Sequence, residues 1–155
     1  MPDSAFSIKA VKGDMDRVAK TLKAAGTKEM RTRLRKIMAT ETKPLRQKIK
    51  QSAKDTLPSK GGLNKWAAVT PAQNTDFREK SAGVRIRMTK KGHDLAALNR
   101  GRLRHPLFGN RKFWYQQSIA EGFFTKPVEE DGDALKARIV DALDAYKREI
   151  ERKVN

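Results

Sequence analysis

The chain contains no cysteine, which removes disulfides, thiolate zinc sites and a cysteine nucleophile. Histidine is almost absent too. His93 and His105 are the only two, and neither stands in an HExxH or HxxxH spacing that would aim two ring nitrogens at one metal. His93, in Lys91-Gly92-His93-Asp94, reads as a loop or turn residue. There is no GxSxG, Walker loop or GxGxxG, so nucleophile-elbow and phosphate-loop chemistry lack their signatures. No apolar run approaches the roughly 20 residues of a membrane span. The stretch MPDSAFSIKAVKG lacks the apolar core of a signal peptide. These absences predict a soluble, non-enzymatic protein made in a cytoplasm, with no cofactor, no metal and no membrane partner.

Acidic residues are scarce relative to bases: 35 Lys+Arg stand against 18 Asp+Glu in 155 residues, a net charge of +17. Mean hydropathy is −0.76, so much of the chain faces solvent or a partner. Such a charge favours polyanions or acidic protein surfaces and makes copies repel one another at low salt. The length fits one domain, residues 1–155, with a modest core.

Along the chain, Phe6, Ile8 and Ala10 alternate with Ser7, Lys9 and Val11 as in a short strand. Asp14 is placed to cap a helix carrying Met15, Val18, Ala19 and Leu22, which Gly26 stops. A longer helix runs from about Lys28 to Leu57, with Met30, Leu34, Ile37, Met38, Leu45, Ile49 and Ala53 at helical spacing. Pro44 predicts either a kink or two helices meeting near Thr42. Residues 28–60 hold 11 Lys/Arg and 3 Asp/Glu, a net +8. Leu57-Pro58 and Gly61-Gly62 end the helix, Leu63 and Trp66 follow, and Pro71, Asn74 and Asp76 read as an exposed loop.

Gly83 to Thr89 is the cleanest strand, with Val84, Ile86 and Met88 on one face and Arg85, Arg87 and Thr89 on the other. Phe113 to Ser118 suggests a further strand. Pro127 and the acidic Glu129-Glu130-Asp131 lead to a last amphipathic helix over 133–154, with Leu135, Ile139, Ala142, Leu143, Tyr146, Ile150 and Val154 on one face. The order predicts an α+β fold: strand and helices over 6–57, a strand and loop region over 63–128, and the terminal helix.

Residues 90–112 carry 7 Lys/Arg and one acid, Asp94. They run through GRLRHPLFGNRK into Phe113-Trp114-Tyr115, and six of the ten aromatics lie between Phe108 and Phe124. Arg100, Arg102, Arg104, Arg111 and Lys112 suit phosphates, and the aromatics suit stacking on bases. The competing reading puts the aromatics in the core with arginines around the rim. No RRM, KH, zinc-finger or basic-zipper pattern supports nucleic-acid binding. Lys28, Arg31 and Arg35 pose the same choice, between a DNA-facing stripe joined by Arg100 and Arg111 and the solvated face of a helix. Pro106 biases His105 toward extended geometry, and Gly101 and Gly109-Asn110 mark turns. With Leu103, Leu107 and Phe108 as apolar points, this segment reads as a clasp that docks on a neighbouring surface.

LPSKGGLNKWAA after a long basic helix, then AGVRI, then GRLRHPLFGNRKFWYQQSIAEGFF and a terminal amphipathic helix, in that order, resemble the neck or tail-completion proteins (minor tail proteins of the head–tail connector) of siphophages, of actinobacteriophage type. The Arg-His-Pro-x-Phe-Gly core, Trp114 and Gly122-Phe123-Phe124 carry most of that resemblance, which spans about Lys28 to the C-terminus. It implies an α+β subunit with a small, mostly antiparallel sheet, forming a homo-oligomeric ring of six or twelve copies in the virion neck after assembly in the host cytoplasm. It implies no catalysis, and as partners the connector (adaptor or stopper) proteins and the tail terminator or tube proteins, with transient contact to genomic DNA in the channel. On this reading Arg102, Leu103, Arg104, His105, Pro106, Leu107, Phe108, Trp114, Phe123 and Phe124 lie at subunit interfaces.

Overall fold

A computed structural model describes residues 4–9, 28–78 and 81–154. The fold is α+β, with long helices packed on a small antiparallel sheet and a second, two-stranded sheet alongside. The strand most legible in the sequence is the centre of the first sheet. β1 (Ser4–Lys9) and β2 (Ala72–Arg78) flank β3 (Ser81–Met88), both antiparallel to it. Val84, Ile86 and Met88 are buried, and Arg85 and Arg87 are exposed, as the two-residue strand period requires.

β2 corrects the loop expected around Pro71, Asn74 and Asp76. It is an edge strand whose backbone is satisfied on β3, from Ala72 opposite Arg87 to Arg78 opposite Ser81. An edge strand needs no apolar stripe of its own to be held. The expected helix over 14–25 and the Ala10-Val11 end of the first strand lie outside the described residues.

Residues Lys28–Thr56 form one helix, α1, and Pro44 sits inside it, so the two-helix alternative is excluded. Proline removes the donor that would meet the Thr40 carbonyl. Close by, the Ala39 carbonyl accepts from the Thr42 hydroxyl (3.3 Å) and from Arg46 Nη2 (3.1 Å), side-chain donors added at the weakened turn. Leu34, Met38, Leu45, Ile49 and Ala53 are buried. They meet Leu135, Ile139, Leu143 and Tyr146 of the last helix in one core, joined by Val84, Ile86 and Met88 of β3.

The two long helices run antiparallel, because successive cross-helix pairs descend one and climb the other: Arg33–Glu149 at 2.7 Å, Glu41–Arg138 at 3.8 Å and Lys48–Asp131 at 3.2 Å. Bonds from Lys153 and charge from Arg33 hold the Glu149 carboxyl below its usual range, and bonds to Glu130 and Asp131 raise Lys48. These pairs are exposed, so they mark the register rather than supply much stability.

The last helix, α4 (Thr125–Val154), corrects a predicted start at 133. Pro127 falls in its first turn, where the missing N–H has no helical partner to lose. Its N-terminus is capped from afar, by Asn99. The short helices α2 (Leu63–Ala67) and α3 (Leu95–Asn99) precede it, and Asn99 at the end of α3 reaches across. Its side-chain Oδ1 accepts from Phe124 N–H (2.9 Å) and Thr125 N–H (3.2 Å), and its backbone carbonyl accepts from Gly122 N–H (2.7 Å). Replacing Asn99 by Ala leaves those two donors without the side-chain acceptor, and a lost cap of this kind costs about 1–2 kcal/mol. Urea unfolding of Asn99→Ala is expected to show that loss, and Asn99→Asp, which keeps the acceptor, to show much less.

Candidate functional site

The arginine-rich segment is a β-hairpin, which corrects its reading as a loop. β4 (Arg102–Leu107) and β5 (Asn110–Ser118) pair antiparallel from Arg102 opposite Ser118 to Pro106 opposite Trp114. Pro106 is tolerated because β4 pairs on one side only within this two-stranded sheet, and an edge position needs no second N–H partner. At the base, Gly101 has φ +81°, and a Cβ there would stand 2.8 Å from the Ile119 carbonyl. A side chain is therefore excluded where Gly101 closes the hairpin through its own carbonyl, which accepts from Ile119 N–H at 2.9 Å.

The tip is less comfortable. Leu107 pairs with Asn110, leaving Phe108 and Gly109 as a two-residue loop with φ +48° and +76°. Two positive φ values are the signature of a type I′ turn, which favours Asn-Gly. Phe108 is the one non-glycine with positive φ among the described residues, and a bulky residue there is strained. It is also 98% exposed. Behind it, the register shifts so that Arg111, Lys112 and Phe113 bulge from β5 without opposite partners. The Asn110 side chain accepts from Lys112 N–H (3.0 Å) and steadies that bulge.

All nine residues of β5 are exposed. Phe113, Trp114 and Tyr115 keep half or more of their surface in solvent, so the competing reading that puts the aromatics in the core is overturned for this run. Opposite residues of a ladder share a face. One face carries Arg102, Arg104, Pro106 and Trp114, and the Arg104 guanidinium lies 5.0 Å from the centre of the Trp114 ring. The other carries His105 against Tyr115, edge to face at 5.7 Å, with Leu103 half-buried beside the body. From Arg100 to Ser118 there are five Lys/Arg and no acid.

The arginine face looks into a groove of about 490 Å³. Its hairpin wall is Arg102, Arg104, Pro106, Arg111 and Trp114, and its opposite wall is His93, Asp94 and Ala97 at the start of α3. That second wall is held by Trp66, which packs edge to face on His93 at 5.1 Å and takes Lys90 over its ring at 5.1 Å. Asp94, the one acid in the groove, is occupied as the cap of α3, accepting from Ala97 N–H at 3.1 Å.

No protein-family model, curated protein or solved structure matches this chain.

The predicted clasp residues thus divide. Arg102, Leu103, Arg104, Pro106 and Trp114 line one groove together with Arg111 of the predicted DNA-facing set, His105 belongs to the opposite face, and Leu107 and Phe108 form the tip. Phe123 and Phe124 do not belong with them. They are 0% and 2% exposed in the core, so their predicted interface role is corrected: the Asn99 bonds fold the Gly122–Thr125 turn inward, and these rings complete the packing under α4. Of the predicted DNA-facing set, Lys28, Arg31 and Arg35 are exposed on the first turns of α1. Lys28 borders a separate groove of about 940 Å³ between α1 and Ala142 of α4, and Arg100 is exposed at the end of α3. Neither Arg100 nor the α1 cations line the hairpin groove. Sequence reading missed the His93–Ala97 wall, because the contact that holds it joins residues far apart in the chain. Among the described residues no group of His, Asp and Glu converges to hold a metal ion, and no helix is long and apolar enough to cross a membrane.

Proposed function

We propose that this protein is a structural assembly subunit whose hairpin is an arm that docks on a neighbouring copy. The observation that carries this reading is the complete exposure of β5. A two-stranded hairpin is marginal in water by itself. One that also holds Leu107, Phe108, Phe113 and Tyr115 in solvent gains most by burying them against another molecule. If the arm docks on a different patch of the neighbouring copy, the contact is heterologous, and a heterologous contact closes into a ring when its rotation permits.

The family resemblance supplies the setting for such a ring: the virion neck of a tailed phage, between connector proteins and the tail terminator or tube, with DNA passing through. Six or twelve copies fit that setting. The function is mechanical, with no reaction to catalyse.

The test is the native mass of nuclease-treated protein at moderate and high salt, for the wild type and for Phe113→Ser/Tyr115→Ser. A closed oligomer for the wild type, with a folded monomer for the variant, is the expected outcome. A variant that assembles like the wild type removes the arm from the interface. A wild type that stays monomeric across the whole concentration range removes the ring.

A further inference from the structure

We propose that the groove between the hairpin and α3 binds a segment of single-stranded nucleic acid, with arginines on its phosphates and Trp114 on a base. This inference rests on the groove and not on the assembly reading, since it uses the face of the hairpin opposite to Tyr115.

The chemistry of the lining favours that ligand. Arg102, Arg104 and Arg111 converge on one groove. Guanidinium is the side-chain group whose fork of N–H donors matches a phosphate. Described ion pairs tie down Arg33, Lys48 and Arg138 on the long helices, whereas the groove's single carboxylate, Asp94, is engaged with a backbone N–H of its own helix. The groove is therefore lined by cations, and the one acid in its lining is already committed to a cap. The Arg104 guanidinium carbon lies over the Trp114 ring at 5.0 Å, and a guanidinium held on an aromatic ring keeps N–H donors for an anion.

Trp114 separates a nucleic acid from other polyanions. It lines the groove and is 50% exposed, and with Arg104 over one side of the ring the base is assigned to the indole surface that stays open. A duplex hides its base faces, and an acidic peptide has none, so neither makes use of the indole. The groove's volume of about 490 Å³ lies within the range of roughly 300–1,000 Å³ usual for ligand clefts. Nothing in the lining selects deoxyribose over ribose, so the shared chemistry is a phosphate strand with unstacked bases.

The experiment is fluorescence anisotropy of labelled dT12, rU12 and a 12-base-pair DNA duplex with full-length protein over a range of salt concentrations. Single strands are expected to bind more tightly than the duplex. Arg102→Ala/Arg104→Ala is expected to weaken dT12 binding about tenfold and to flatten the slope of log K against log salt by about 1.4, two phosphate contacts at about 0.7 each. Trp114→Leu is expected to weaken dT12 binding about fivefold or more with the slope unchanged. Lys28→Ala/Arg31→Ala/Arg35→Ala, which removes three cations outside the groove, is expected to leave the effect of Trp114→Leu intact.

The proposal is overturned if the duplex binds as tightly as dT12 and Trp114→Leu changes nothing, which is charge attraction alone. It is equally overturned if hexaglutamate competes as well as dT12, which assigns the groove to an acidic protein surface, or if dT12 does not bind. Because Trp114→Leu also alters the hairpin, a second measurement follows the indole emission of the wild type, which keeps Trp66 and the wall it holds. Addition of dT12 is expected to quench it, and an unchanged emission at saturating dT12 overturns the stacking. Native mass recorded on the same samples separates this site from the assembly arm: loss of dT12 binding without loss of assembly, or the reverse, assigns each function to its own face.

Discussion

Phe123→Ala is expected to lower the unfolding free energy by about 3–5 kcal/mol, the range for emptying a buried aromatic site. At this chain length that corresponds to a fall in Tm of roughly 6–20 °C. The ring has no exposed surface and shares the core with Phe124, Val128 and the apolar faces of both long helices. Its backbone neighbours cannot easily close over the void, because Gly122 and Phe124 are pinned to Asn99 by hydrogen bonds of 2.7 and 2.9 Å. Any loss of assembly in this variant is thus secondary to loss of fold. The discriminating measurement is thermal unfolding at low protein concentration, and a Tm within a degree or two of the wild type contradicts the core placement.

Phe108→Asn is expected to do the opposite: to stabilise the free subunit locally and, on the proposed docking arm, to abolish assembly. Phe108 holds φ +48° at the tip of a two-residue turn, and a bulky side chain in that region costs on the order of 1 kcal/mol or more. Asparagine followed by Gly109 is the preferred pair for a type I′ turn. Relief of about 1 kcal/mol slows local opening about fivefold, readable as slower amide hydrogen exchange across residues 102–118. The same change removes the most exposed large apolar side chain of the described residues, at 98%. If Phe108 is the anchor of the docking arm, its loss costs the association at least about 2 kcal/mol, the threshold for an interface hot spot, or roughly thirtyfold in Kd. Strain in the free subunit combined with an unmet ring is the pattern of a residue kept for a partner. A variant that assembles as tightly as the wild type shifts the contact away from the tip.

These two phenylalanines also show how far the sequence could be read. Helical spacing identified Leu34, Met38, Leu45, Ile49 and Ala53 on α1 and Leu135, Ile139, Leu143 and Tyr146 on α4, all of them buried. Alternation identified the buried face of β3. These signals are legible because burial repeats along one element with that element's own period. β2 had no such signal, since an edge strand is held by its backbone bonds to β3. The start of α4 was hidden for a related reason: Pro127 and Gly132 discourage a helix locally, and the Asn99 cap that favours it arrives from 25 and 26 residues away.

By itself the sequence determined the α+β class, the apolar faces of the long helices and β3, the excess of positive charge, and the acid-free character of the stretch from Arg100 to Ser118. All of these depend on residue identity and on short, regular spacing. The tertiary structure alone decided which aromatics are inside. Phe113-Trp114-Tyr115 and Phe123-Phe124 are similar as local sequence, yet the first run lies on a strand whose sheet partner is β4 alone, and the second turns under α4 where Asn99 ties it down. It also decided that Arg102, Arg104, Arg111 and Trp114 face His93 and Asp94 across one groove. Burial and convergence depend on what the rest of the chain lays over a segment, and that information is spread over residues too far apart for any local pattern to carry.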